Sequence, residues 1–236
     1  MKGSFGRTLL GVLFGSLILL GCAGRATAGG STAPGASAAP AFPDPPKEAM
    51  PVNGTQIAVL SGGCFWGIEG VFERLKGVTD VISGYSGGDA ATADYEMVST
   101  GSTGHAESVQ ITYDPSVVSY GTLLKVFFSI AHDPTELNYQ GPDHGTQYRS
   151  VIFYGTDAQK RTAEEYITLL NTAHVFTQPI VTQVVPLKAF YPAEGYHQDF
   201  LDNNPNWPYI VMWDKPKVRA LQSTYPGLLS GKYPNL

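Results

Sequence analysis

The residues best placed to do chemistry begin with Cys64, set in Gly62-Gly63-Cys64-Phe65-Trp66-Gly67. A thiol acts as a nucleophile once it has lost its proton. That loss is favoured at a helix start, where unpaired backbone N–H groups and the positive end of the helix dipole gather. The paired glycines let the backbone turn sharply and approach a ligand. A lone cysteine is also a common small buried hydrophobe, so its position has to decide between the two readings. Glu107 is the second candidate. It shares one face of an alternating segment with Val109, Ile111 and Tyr113, while Ala106, Ser108, Gln110 and Thr112 take the other. A carboxyl on an apolar face is shielded from water, which raises its pKa and equips it to act as a general acid. The alternative is a glutamate at a strand end whose head reaches solvent. The third concentration is polar: about 16 residues from His132 to Gln147, including Asp133, Glu136, Asn138, Tyr139, Asp143 and His144. Stretches this long inside a domain are functional or disordered. A strong strand, Ser150 to Tyr154, follows directly and favours an ordered loop at a site.

These candidates need elements to hold them. A short apolar strand, Ile57 to Leu60, leads into Cys64, and Ile68, Val71, Phe72 and Leu75 then keep the spacing of one helix face. Val78 to Tyr85 and Ala106 to Tyr113 read as strands, with a short helical piece at Asp94 to Val98 between them. Tyr120 to Ala131 carries a wide apolar helical stripe. Thr156 with Gln159 reads as a capping box for a helix to about Thr172. Ile180 to Val185 is a further strand and Glu194 to Leu201 a short helix; from Asp202 the chain loses periodicity and reads as an irregular arm. The order predicts an α+β fold: a ferredoxin-like, split β-α-β mixed sheet with packed helices and an irregular C-terminal arm.

With 236 residues, 43% apolar and 15% charged, the chain is long enough for one globular domain with a full core. Its net charge of -5 gives no footprint for nucleic acid. Residues 1–22 read as an export signal: Lys2 and Arg7, an apolar run from Leu9 to Leu20, then Leu19-Leu20-Gly21-Cys22. The run is too short for a permanent membrane span, and its end resembles a bacterial lipobox, in which the cysteine becomes the lipid-carrying first residue. The alternative is an ordinary signal peptide or signal anchor. The expectation is a lipoprotein held outside the cytoplasm on a membrane by Cys22, on the periplasmic face, with Ala23 compatible with outer-membrane sorting. Residues 23–50 have the composition of a flexible linker, and residues 51–236 form one domain. The two cysteines, Cys22 and Cys64, make a disulfide arithmetically allowed, but lipidation would consume Cys22.

Four blocks occur in order: Gly63-Cys64-Phe65-Trp66-Gly67, Thr103-Gly104-His105-Ala106-Glu107, Asp143 to Ser150, and Glu194-Gly195-Tyr196-His197-Gln198-Asp199. Together they resemble the peptide-methionine (S)-S-oxide reductase family, methionine sulfoxide reductase A, over roughly residues 55–215. The resemblance implies that Cys64 is the nucleophile, that Phe65 and Trp66 hold the substrate's S-methyl group, and that Glu107 protonates the sulfoxide oxygen. It implies that Tyr95 and Tyr148 donate hydrogen bonds to that oxygen and that Asp143 orients the substrate. His105, His144 and His197 are assigned packing or loop hydrogen bonding. The implied reaction needs no metal or organic cofactor. Its partners are oxidised proteins or peptides and an external thiol reductant, thioredoxin-like or small, with the chain acting as a monomer. One departure stands out. Many members carry resolving cysteines toward the C-terminus, and residues 65–236 contain none, which predicts a single-cysteine cycle. Two other readings stay open on the residues alone. One is a cysteine enzyme acting on peroxides or peptide bonds; the other is a tethered module that binds oxidised methionine without turning it over.

Overall fold

In a computed structural model the described residues are 42–47 and 54–233. The export signal, Cys22 and most of the linker lie outside them. Strand β1 (Gln56–Ser61) leads into helix α1 (Phe65–Phe72), then β2 (Val78–Ser86), α2 (Tyr95–Val98), β3 (Ala106–Tyr113) and α3 (Tyr120–Val126). A small hairpin of β4 (Tyr139–Gln140) and β5 (Asp143–His144) follows, then β6 (Val151–Tyr154), α4 (Asp157–Thr172), β7 (Gln183–Pro186), β8 (Phe190–Pro192), α5 (Phe200–Asn203) and α6 (Lys215–Thr224).

The main sheet has the order β7-β6-β1-β3-β2-β8. Its four central strands are antiparallel throughout, and β7 adds to β6 in parallel. The fold is therefore α+β with a mixed sheet and packed helices. It has six strands, against the four of a ferredoxin-like core, because β7 and β8 extend both edges. The face of β3 that bears Val109, Ile111 and Tyr113 joins Ile68, Val71 and Phe72 of α1 in the main core. A smaller cluster of Val59, Ala106, Val151 and Phe153 occupies the opposite face. That second layer is why Ala106 and Ser108 are buried too.

Local signals hold in detail. Thr156 accepts from the Gln159 N–H and caps α4. The Gln159 side chain reaches back to the Gly155 N–H, one residue earlier than a capping box requires, and donates to the Ile57 carbonyl. Part of the linker segment is held down as well: Phe42 meets Phe176 edge-on, Tyr166 donates to the Pro43 carbonyl, and Lys125 pairs with Asp44. The arm beyond residue 202 is more regular than its sequence suggests. Ile210–Asp214 forms a π-helical turn that runs into α6, whose Val218 and Leu221 are buried. The widened turn shifts the phase of the apolar pattern and hides the helix from a 3.6-residue reading. No helix among the described residues is long and apolar enough to cross a membrane.

Two carboxyls of α1 and its C-cap are held uncharged near neutral pH. Burial pushes Glu69 up to about 8. Burial, then the neighbouring Glu69, pushes Glu73 up to about 9. Both groups ionise near 4.5 in an unfolded chain, so the fold retains protons that the unfolded chain loses as pH rises. Their stabilising effect is complete below about pH 4.5 and is lost on the way to about pH 9. The unfolding midpoint should therefore fall between about pH 5 and about pH 9. In Glu69→Gln that fall should be shallower, as read by thermal melts at the two pH values.

Candidate active site

Cys64 is the N-cap of α1. Gly63, at φ 101°, turns the chain into it, and a Cβ there would run into the Gln140 side chain, so only glycine lets the β4–β5 hairpin close over this corner. The first free N–H of the helix, that of Phe65, donates to Glu107 Oε2 at 3.1 Å. This bond ties the carboxyl of β3 to the turn that carries the thiol. Glu107 is buried, on the face its alternation predicts. Desolvation pushes its pKa up to about 8, the Phe65 N–H opposing and the Asp143 and Asp214 charges reinforcing. At neutral pH the group is mostly a carboxylic acid.

The thiol departs from expectation. A helix start should favour thiolate, yet the Cys64 pKa is raised well above its ordinary value. Burial is the main cause, followed by the charges of Glu107 and Asp214; the Trp66 N–H pulls the other way and Asp143 adds a smaller push. Loss of water around the sulfur outweighs the donors of one helix end.

The aromatic walls are built from segments far apart in sequence. Phe65 packs against Tyr85 and the His197 ring, with centroids 5.9 and 5.0 Å away. Trp66 stacks on Phe200 at 3.8 Å and meets Tyr209 edge-on at 6.0 Å. Its indole N–H donates to His197 Nδ1 at 3.2 Å, which fixes that histidine as the neutral Nε2–H tautomer. Tyr95 starts α2, its backbone N–H held by Glu194 Oε1 at 2.9 Å, and its ring lies 4.6 Å from His197. Tyr148 comes from the turn after β5. Burial is the main cause holding its hydroxyl protonated, followed by Glu107, Asp143, Cys64 and Tyr95. Neither the Tyr95 nor the Tyr148 hydroxyl has a protein hydrogen-bond partner among the described residues. Asp143 accepts from the Tyr209 hydroxyl, and burial raises its pKa. No group of three potential metal-binding side chains gathers among the described residues.

A family model described as peptide methionine sulfoxide reductase matches residues 56–227. The chain belongs to the peptide methionine sulfoxide reductase family. It is 58% identical over 179 residues to a peptide methionine sulfoxide reductase MsrA 2 of Mesorhizobium japonicum, spanning 76% of this chain and 92% of that relative. A Synechocystis relative of the same name is 52% identical over 195 residues, spanning 81% and 91%. Among solved structures, Mxr1 from Saccharomyces cerevisiae in reduced form matches with a TM-score of 0.60 at 36% identity, covering 65% of this chain and 87% of that one. Methionine sulfoxide reductase A of Corynebacterium diphtheriae matches with a TM-score of 0.57 at 33% identity, covering 73% and 89%.

The candidate site gathers Cys64, Phe65, Trp66 and Glu107 at the start of α1, with Tyr95 beside His197, Asp143 held by Tyr209, and Tyr148 on the turn after β5. It also contains groups that sequence reasoning missed. Tyr209 holds Asp143 and borders Trp66 from an arm without periodicity. Asp214 and Lys217 lie at the start of α6, where the one available signal is an acidic residue just ahead of Lys215-Pro216, the pattern of a helix start. His197 does more than pack, since it anchors the Trp66 indole. His105 is a loop residue, accepting from the Gly88 N–H and facing the Asp89 carbonyl, and His144 stacks on Tyr139.

Proposed function

We propose that this chain reduces the S epimer of methionine sulfoxide, free or in proteins, through Cys64. The observation that carries the reading is a buried Glu107 bonded to the helix turn that Cys64 caps, with the half-buried Tyr95 and Tyr148 bringing two hydroxyls that no protein group among the described residues claims. A sulfoxide sulfur is electrophilic, but its oxygen leaves only once it is protonated, so the reaction needs a thiol, an acid and oxygen donors in one dry pocket. Phe65 and Trp66 wall the place of the S-methyl group. Tyr95 and Tyr148 donate to the oxygen, and Asp143, held by Tyr209, orients the substrate.

As the Cys64 sulfur bonds to the sulfoxide sulfur, Glu107 protonates the oxygen and the thiol proton refills Glu107. The protonated oxygen then passes to the Cys64 sulfur as the sulfur–sulfur bond breaks and its electron pair stays on methionine, so Cys64 ends as sulfenic acid with no net proton taken up. A resting site in which both groups are neutral avoids burying a thiolate beside a carboxylate, which would be costly. An external thiol then attacks the sulfenic sulfur and releases water; a second thiol reduces the mixed disulfide and frees Cys64. No cysteine in residues 65–236 offers an internal route. A thioredoxin-like protein or a small thiol both meet this chemistry.

A cysteine hydrolase would need a histidine base. His197 is committed to Trp66, and His132 to Phe127 and Ser150, burial pushing the latter down to about 4. Separated S and R epimers given to the purified protein test the reading. Methionine should form from the S epimer alone. Turnover of peroxides or peptide bonds, with none of methyl sulfoxides, would contradict it.

For localisation, the lipobox-like Leu19-Leu20-Gly21-Cys22 supports export and anchoring to a membrane face by lipid on Cys22, with the domain acting there as a monomer on oxidised proteins. Cys22→Ser should move the protein from the membrane to the soluble fraction; unchanged membrane retention would remove the anchor from the account.

A further inference from the structure

The arm beyond residue 202 leaves apolar surface in water beside the site. In the π-helical turn Ile210–Asp214 the two end residues are buried, while Val211, Met212 and Trp213 between them face outward. The widened turn thus sets three consecutive apolar side chains on its solvent side. Trp207 stands one turn earlier. Its carbonyl accepts from the Val211 N–H at 3.0 Å, so Trp207 and Val211 are neighbours at i and i+4. All four side chains are exposed, Met212 at 64%. Apolar residues scattered over a surface mean little, but an adjoining run of them marks a place where something docks.

The strip continues the wall of the site. Trp66 stacks on Phe200 at 3.8 Å, and Phe200 meets Trp207 edge-on at 6.3 Å. Tyr209, inside the same arm, borders Trp66 and holds Asp143. At the other end Trp213 lies on Gly141, where a Cβ would sit 3.6 Å from its ring. Gly141 follows Gln140, whose side chain covers Gly63. Two ring-to-ring steps lead from Trp66 to Trp207, a reach of about three extended residues at ~3.3 Å each. The linker brings no apolar complement of its own: residues 23–41 have no large apolar side chain, and Phe42 packs on Phe176.

We propose that Trp207, Val211, Met212 and Trp213 form a subsite for the apolar side chains that flank an oxidised methionine in an unfolded polypeptide. The proposal rests on the reductase reading and names the protein substrates that reading favours. Cys64 is buried, so a chain that presents its sulfoxide there must lay the neighbouring residues over the rim. Methionine is among the residues that fold into cores, and its neighbours in an unfolded chain include others of that kind. An apolar residue two or three positions from the sulfoxide reaches the strip and sheds water against it. Free methionine sulfoxide carries no such side chain and gains nothing from the strip.

The experiment measures kcat and KM of the full chain for three S sulfoxides, with dithiothreitol as reductant. One is free methionine sulfoxide. The others are capped heptapeptides with the sulfoxide at the centre and either Leu or Ser at the second and third positions on both sides. The Leu peptide should show a KM about tenfold below that of the Ser peptide, with kcat alike. The double variant Val211→Thr, Met212→Gln should lose most of that preference through KM, with the free sulfoxide turned over as in the wild type and the melting point unchanged. Val211→Ile, Met212→Leu should keep the preference. Equal KM values for the two peptides in the wild type, or a preference that survives the polar double variant, would overturn the subsite and leave the reductase reading in place. So would a polar variant that treats both peptides as the wild type does and is slowed only when a thioredoxin-like protein replaces dithiothreitol, because the strip would then serve the reductant. Absence of turnover with the free sulfoxide would overturn both.

Discussion

Cys64→Ser should lower reduction of methionine sulfoxide by at least ~10⁴-fold, to the level of the uncatalysed reaction with the same thiol reductant. A serine hydroxyl keeps the shape of the site and can still donate a hydrogen bond, so the walls made by Phe65 and Trp66 should go on binding the sulfoxide. It offers oxygen in place of a polarizable sulfur, and no sulfenic acid can form on it. Binding that survives while turnover vanishes separates an enzyme from a tethered binding module, because the latter would show no turnover in the wild type either. A serine variant that retains a sizeable fraction of wild-type activity would end the proposed chemistry.

The second large effect belongs to Glu107. Glu107→Gln preserves volume and can still accept from the Phe65 N–H, but it has no proton to give. Sulfoxide reduction near neutral pH should drop by about 10²–10³-fold, the range for loss of a positioned general acid. Alkylation of Cys64 at the same pH should change little, since wild-type Glu107 is itself neutral there. Above about pH 8 the two proteins should part in the opposite sense. Wild-type Glu107 becomes a carboxylate, opposes the thiolate and slows alkylation, whereas Gln cannot. The same ionisation gives wild-type reduction a falling limb as pH rises through about 8, and the variant should lack it. Equal losses in reduction and alkylation would remove the acid role.

How much of this could be read from the chain depends on how local each cause is. The period of two in Ala106 to Tyr113 placed Glu107 on the core face, because side-chain direction in a strand is set by its immediate neighbours. The helix start at Cys64 and the Thr156 cap were legible for the same reason. The His132 to Gln147 stretch could be recognised as an ordered loop by its length and by the strand that follows, though not as a hairpin closed over Gly63. The sign of the Cys64 shift was not legible. It depends on how deeply the sulfur is buried and on Asp214, which is 150 residues away in sequence and becomes a neighbour only when α6 docks on α1. Tyr209 was hidden for a related reason: the π-helical turn after it puts the arm's apolar residues out of phase. The edge strand β8 has three residues and ends in a proline, too little pattern for any periodicity to register.

The most direct test of the central claim is a single turnover. The protein is reduced with dithiothreitol, freed of it, and given one equivalent of the S sulfoxide, and its products are read by intact mass and by a sulfenic-acid trap. One methionine should form for each protein, with a single oxygen equivalent captured on Cys64. Methionine release accompanied by an intramolecular disulfide, or by no change at Cys64, would contradict it.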